Sequence, residues 1–151
     1  MFEKRKTIVQ VEEGNELAPK FDEKGLIPVV TTDYDTGEVL MHAYMNKEAL
    51  QRTIETQRAV YYSRSRDAIW EKGSVSGFVQ HIKEMRIDDD QDCVWIRVKV
   101  EGGASCHVGY RSCFYRSISL DAKKGQLEFC EKNKTFDPET FYKGIDNPTK
   151  V

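Results

Sequence analysis

The sequence predicts an α+β fold, built mainly from antiparallel strands around one clear helix and packed as a single domain over residues 1–151. Three observations carry that expectation. Short runs of β-branched and aromatic residues recur between turn residues, as half-buried strands do. One stretch alone, residues 47–57, has strong helical spacing. Strands and helix do not alternate regularly, as a parallel βαβ sheet requires. A chain of 151 residues is long enough to bury a core.

In chain order, residues 1–15 are polar and expected to be loosely held, and Glu16–Asp22 is expected to form a helical turn. Leu26–Thr32 reads as a strand, with Pro28 arguing for a sheet edge. Asp33–Gly37 has turn chemistry, and Glu38–Met45 returns as the second arm of a hairpin. Asn46 is a good N-cap for a helix over 47–57, whose inner face would hold Ala49, Leu50, Thr53 and Ile54. Ala59–Ser63 is a third strand, Asp67–Gly77 a loop and Phe78–Ile87 a long strand. In Val94–Val100 apolar and polar residues alternate cleanly, the mark of a half-buried strand. One more strand is expected near Gln126–Cys130. Asp137, Pro138 and Gly144 bracket a short terminal helix.

Composition excludes several classes. A net charge of −2 gives no nucleic-acid footprint and no polybasic membrane anchor. No apolar run approaches a membrane span, and no secretory h-region is evident, so a cytoplasmic protein is expected. In a reducing compartment the four cysteines are not expected to form disulfides. Three of them, Cys93, Cys106 and Cys113, lie near His107 and a run of acids, which reads as metal chemistry.

The chemistry concentrates in residues 87–115. The spacing Cys106-His107-x5-Cys113 is not a zinc-finger pattern. With Cys93 as a third thiol, a zinc ion would keep one open position, the layout of a catalytic site. A closed structural zinc and three inert buried thiols are the alternatives. Asp88, Asp90 and Asp92, at alternate positions of an extended segment, would face one way and suit magnesium; a solvated acidic turn is the plain alternative. Ser63, Arg64, Ser65 and Arg66 match phosphate oxygens, and Lys72, Gly73, Ser76 and Gly77 follow closely, though an exposed solubilising loop reads as well. Trp70 suits either base stacking or the core. His42 is expected to be structural, His81 has no evident partner, and Cys130 is expected to be a buried thiol. His107, next to a thiol ligand, reads either as a fourth zinc ligand or as the base for an acidified water.

Taken in order, LMHAYMNKEAL (40–50), YYSRSR (61–66), IWEKGSVSG (69–77) with Gln80, the acidic cluster and SCHVGYRSCFYR (105–116) resemble the phosphoribosyl-AMP cyclohydrolase family over about residues 26–116. The resemblance implies an enzyme of histidine biosynthesis that hydrolyses the N1–C6 bond of the adenine ring of phosphoribosyl-AMP. It implies Zn2+ and Mg2+ as cofactors, and an intertwined homodimer that shares its zinc site between chains. Asp88, Asp90 and Asp92 match the magnesium ligands, Cys106 and Cys113 match zinc ligands, and His107 is the proton-transfer candidate. The serine-arginine and Trp70–Gly77 blocks are expected to bind a substrate with two phosphate-bearing riboses. Two departures stand out. The family has Asp-Cys-Asp where this chain has Asp88-Asp89-Asp90, so Cys93 is the expected third zinc ligand, with Asp89 the alternative. Phe78 replaces a polar residue. Residues 117–151 are expected as a strand and helix appended to a single-activity core.

Overall fold

The computed structural model describes residues 1–121, 125–149 and 151, so residues 122–124 and 150 of the expected C-terminal extension lie outside the described residues. Strands β1 (Leu26–Asp33), β2 (Val39–Asn46), β3 (Val60–Ser63), β4 (Ala68–Glu71), β5 (Gln80–Ile87) and β6 (Val94–Val100) form one sheet in the order β4-β3-β2-β1-β6-β5. Every neighbouring pair is antiparallel except β1 and β6, which run parallel at the centre. The expected α+β class and antiparallel pairing therefore hold, with one parallel seam joining a four-stranded meander to the β5–β6 hairpin.

Helix α2 (Lys47–Thr56) follows β2 directly. The Asn46 side chain caps it by accepting from the Ala49 amide, and Gln57 ends it in the left-handed conformation. Ala49, Leu50 and Thr53 are buried. They join Ile27, Val29, Met45, Val60, Tyr61 and the inward-facing Val94, Ile96 and Val98 in one core.

Several expectations need correction. Pro28 does not mark an edge: β1 is central, but its pairing with β6 begins at Val29, so Pro28 pairs only with Tyr44 of β2 and its missing donor costs no β6 bond. The Asp67–Gly77 stretch contains β4, whose pairing with β3 makes Ser63–Asp67 a hairpin turn. Residues 16–22 are not helical. The N-terminal residues are not loose. Helix α1 (Ile8–Glu13) is capped by Thr7 and buries Val11, and Arg5 donates to the Ala18 and Asp90 carbonyls at 2.7 and 2.9 Å. His81 has a partner, Glu101, at 2.5 Å. Cys130 is exposed rather than buried.

Beyond β6 the chain forms a thiol-bearing loop, a two-stranded ribbon of β7 (Arg116–Ile118) with β8 (Leu127–Phe129), and a short helix α3 (Pro138–Phe141) with Asp137 as N-cap. The strand β7 had no sequence signal. Among the described residues no helix is long and apolar enough to cross a membrane.

Candidate active site

The thiol loop starts where β6 ends. Ser105 N donates to Arg111 O and Cys106 N to Tyr110 O, closing a tight loop with Cys106 and His107 at its head. The loop returns onto β2: Cys113 N donates to Leu40 O at 2.7 Å and Ser112 Oγ to Val39 O at 2.7 Å. Cys106 and Cys113, seven positions apart, thus meet side by side. Hydrogen bonding from Cys113 and to the loop amides, helped by the Lys72 charge, overcomes burial and holds the Cys106 thiol down at about 7. The same pairing, followed by burial, pushes Cys113 up. Of the two, Cys106 is the more readily ionised.

A cavity of about 510 Å³ opens beside this pair. Cys113 and His107 line it, with Lys72 close to the thiols, and so do Ser63, Arg64, Arg66 and Trp70 of the β3–β4 hairpin and Gly73 and Ser76 of the following loop. Lys72 is only 5% exposed. Burial lowers its pKa, opposed by the charges of Cys113 and Cys106. Arg64 stacks its guanidinium 4.2 Å over the Tyr44 ring. Arg66 donates through Nε to Ser63 Oγ at 3.2 Å and lies 5.7 Å from the Trp70 ring centre. Trp70 packs on buried Tyr61 at 5.3 Å and still faces the cavity, so it serves the core and the site together. His107 is half-buried, which lowers its pKa, while the Asn147 side chain hydrogen-bonds to the ring and acts oppositely. Its Nε2 is buried without a partner among the described residues.

Two predicted substrate-binding residues are not on the cavity wall. Ser65 lies in the turn, 3.3 Å from Ser63 Oγ, and Gly77 is part of the loop's closure. Gly73 has a backbone role as well: its φ is +91°, and a Cβ there would stand 2.4 Å from Val79 N.

The acids lie elsewhere. The Asp88–Cys93 segment is a hairpin turn and not the extended ladder expected, so alternation is not what groups its carboxylates. Asp88 Oδ1 accepts from the Asp92 and Cys93 amides at 2.9 Å each. Gln91 turns the chain with φ +57°, held by its side chain's bonds to Ala18, Val11 and Glu16. The ligand atoms of Asp88, Asp89 and Asp90 come within 4.8 Å of one another, a donor set that fits a hard cation. Asp92 lies beside them, its carboxyl pushed up by burial and then by the charges of Asp90 and Asp88. Cys93 is half-buried, and burial followed by Asp88 and Asp92 raises its thiol.

The seven residues of β6 separate this turn from the thiol loop by about 23 Å. Cys93 and Asp89 therefore do not approach Cys106 and Cys113 within one chain. The thiol pair, with one member's pKa brought down to about 7, fits half of a zinc tetrahedron. The acidic turn of the same chain does not reach the pair to add a ligand, and His107 is the remaining nitrogen donor in the loop.

The comparisons bear on this geometry. The family model described as phosphoribosyl-AMP cyclohydrolase matches residues 41–115, the span from β2 through the thiol loop. A Rhodopseudomonas palustris (strain HaA2) protein of that name is 54% identical over 133 residues, covering 87% of this chain and 90% of the relative. Its Bradyrhizobium diazoefficiens counterpart is 51% identical over 134 residues, covering 89% and 95%. A Nitrobacter winogradskyi counterpart is 51% identical over 139 residues, covering 91% and 95%. The chain belongs to the phosphoribosyl-AMP cyclohydrolase family. It is on that ground an enzyme of the hydrolase class.

Sequence reasoning missed part of the cavity. Pro138, Glu139, Tyr142, Ile145 and Asn147 close it from the C-terminal segment, which lies outside the span that the family model matches. Phe78 explains how. Its ring packs 4.7 Å from Phe136 and 5.1 Å from Phe141, pinning α3 over the site. The apolar departure at position 78 was the signal, and it is read only once its partners, nearly sixty positions away, are seen. His42 and Tyr44 also line the cavity, on the block of β2 that carried the resemblance.

Proposed function

We propose that this chain hydrolyses the N1–C6 bond of the adenine ring of phosphoribosyl-AMP, giving the ring-opened formimino-carboxamide ribotide of histidine biosynthesis. The observation that supports this reading is one cavity lined by Cys113, whose thiol pairs with Cys106, by His107, and by Arg64, Arg66 and Ser63. The arginines and Ser63 suit phosphate oxygens. Trp70 offers a face for the base, and Lys72 a buried positive charge near the thiol pair.

Water adds across the N1–C6 bond: its oxygen joins C6, which becomes the carboxamide carbon, and N1 leaves with a proton. Burial keeps the His107 imidazole neutral near pH 7. It takes the proton of the attacking water through its free nitrogen and returns it to N1 as the bond breaks. Cys106 and Cys113 would hold zinc, which when bound supplies the acidity that makes water nucleophilic at neutral pH. Asp88, Asp90 and Asp92, with Asp89 beside them, would hold magnesium.

The two half-sites are completed in a homodimer, where the acidic turn of a second copy meets the thiol pair of the first. Cys93 is the proposed third zinc ligand on softness. Asp89 is the second reading, because it stands exposed at the turn while Cys93 is half-buried. Zinc content and ring opening, followed by ultraviolet absorbance in wild type, Cys93→Ala and Asp89→Ala, test both. Loss of zinc and turnover in Cys93→Ala alone supports the first ligand, and loss in Asp89→Ala alone supports the second. A wild type that holds zinc and leaves phosphoribosyl-AMP intact overturns the proposal.

A further inference from the structure

A chain of buried polar groups crosses the core and ends at the cavity. Thr31 of β1, Tyr61 of β3 and Gln80 of β5 are fully buried, and Ser105 of the thiol loop is 3% exposed. Thr31 Oγ1 and Tyr61 Oη are 2.8 Å apart, Tyr61 Oη and Gln80 Oε1 2.6 Å, and Gln80 Nε2 and Ser105 Oγ 3.1 Å. Four polar groups in an apolar core are costly unless each is satisfied, and here each satisfies the next.

The chain has a direction. Gln80 Nε2 also faces Met41 Sδ at 3.4 Å, a place that suits a donor and not a second acceptor. With the amide so oriented, the Tyr61 hydroxyl must donate to Oε1, and Thr31 must donate to Tyr61. Gln80 then donates to Ser105, whose Oγ is an acceptor there. The Ser105 proton has no acceptor among the described residues, and Ser105 lies on the cavity wall together with His107 and Cys113. Hydrogen bonds in series polarise one another, so the last donor is strengthened by those behind it.

From this arrangement we infer that Ser105 is a substrate-contacting residue, donating its hydroxyl proton to an acceptor nitrogen of the bound heterocycle, and that Gln80 and Tyr61 are positioning residues that fix its polarity. The inference rests on the proposed function, since it needs a heterocycle at the thiol end. Ser105, His107 and Cys113 line the same cavity, so a base that reaches the thiols and His107 reaches Ser105 as well. Ser105 and Tyr61 open two of the sequence blocks but have no assigned role there, because a lone serine and a core tyrosine carry no spacing signal of their own.

The alternative role is mechanical: the chain would merely fasten the thiol loop to the sheet. A double-mutant cycle separates the two. Turnover of phosphoribosyl-AMP and melting temperature are measured for wild type, Ser105→Ala, Tyr61→Phe and the double variant. Ser105→Ala is expected to lower kcat/KM about 30-fold with its melting temperature nearly unchanged, as the loss of one donor to a buried acceptor would. Tyr61→Phe is expected to lower it about fivefold in the wild-type background, and not at all once Ser105 is alanine. Wild-type kcat/KM in Ser105→Ala, or effects that multiply in the double variant, would overturn the inference. If wild type itself does not open the ring, the proposed function is what fails. The relay is then judged on affinity for adenosine 5′-monophosphate in the same four proteins, where the same non-additivity is expected and independent effects overturn it.

Discussion

The two ends of β6 differ in almost every physical respect. At its start, the Asp88–Cys93 turn is hard and anionic, with three carboxylates within 4.8 Å and a thiol that its neighbours keep protonated. At its end, the thiol loop is soft and cationic at heart, with Lys72 buried beside a thiol pair whose Cys106 ionises at about 7. The first end is strapped by the N-terminal segment and the second by the C-terminal one. Seven residues of strand keep them apart, so in the proposed homodimer one chain would supply two unlike half-sites.

The largest effect expected is at the soft end. Cys106→Ala should lose bound zinc and lower turnover by about 1000-fold or more, as removing a ligand from a catalytic metal site does; zinc analysis and an ultraviolet rate assay check it. At the hard end, Asp88→Ala should lower turnover without lowering zinc content. It also releases the Asp92 and Cys93 amides, so a fall in melting temperature of about 4 °C is expected with it, from a lost capping bond worth about 1 kcal/mol.

A smaller, titration-based effect sharpens the contrast between the thiols. In metal-free protein, thiolate absorbance near 240 nm should show one ionisation near pH 7, from Cys106. Because that pKa is depressed by the Cys113 hydrogen bond, Cys113→Ala should move the ionisation up toward the ordinary thiol value of about 8.5, leaving less thiolate at pH 7. Cys93→Ala should leave it in place, since Cys93 lies at the other end of the strand. A lesser effect still belongs to Gly73→Ala. The strained φ and the approach to Val79 should cost about 2 kcal/mol of stability, seen as a lower denaturation midpoint.

The sequence made these ends legible unequally. Alternation in Val94–Val100 and the Asn46 cap locate β6 and α2 to within a residue, because both patterns are local. Cys113, His107 and the arginine hairpin are legible as chemistry and do share one cavity, while Cys106 is buried beside Cys113. The acidic ladder was misjudged in shape, because the left-handed Gln91 is stabilised by bonds to residues 73 to 80 positions away. The proximity of acids and thiols in sequence was misleading for the same reason. A strand between two motifs separates them as firmly as a hairpin would join them. The C-terminal wall was illegible because Phe78 and Phe136 declare themselves only in contact.

The measurement that tests the two-half-site account most directly is subunit complementation. Cys106→Ala and an Asp89→Ala/Cys93→Ala double variant are each assayed alone, then mixed, unfolded and refolded together with zinc and magnesium. Each alone should be inactive. The mixture should recover roughly a quarter of wild-type turnover, because half of the dimers are mixed and each carries one intact site. A mixture that stays inactive while wild type treated alike recovers would contradict the account.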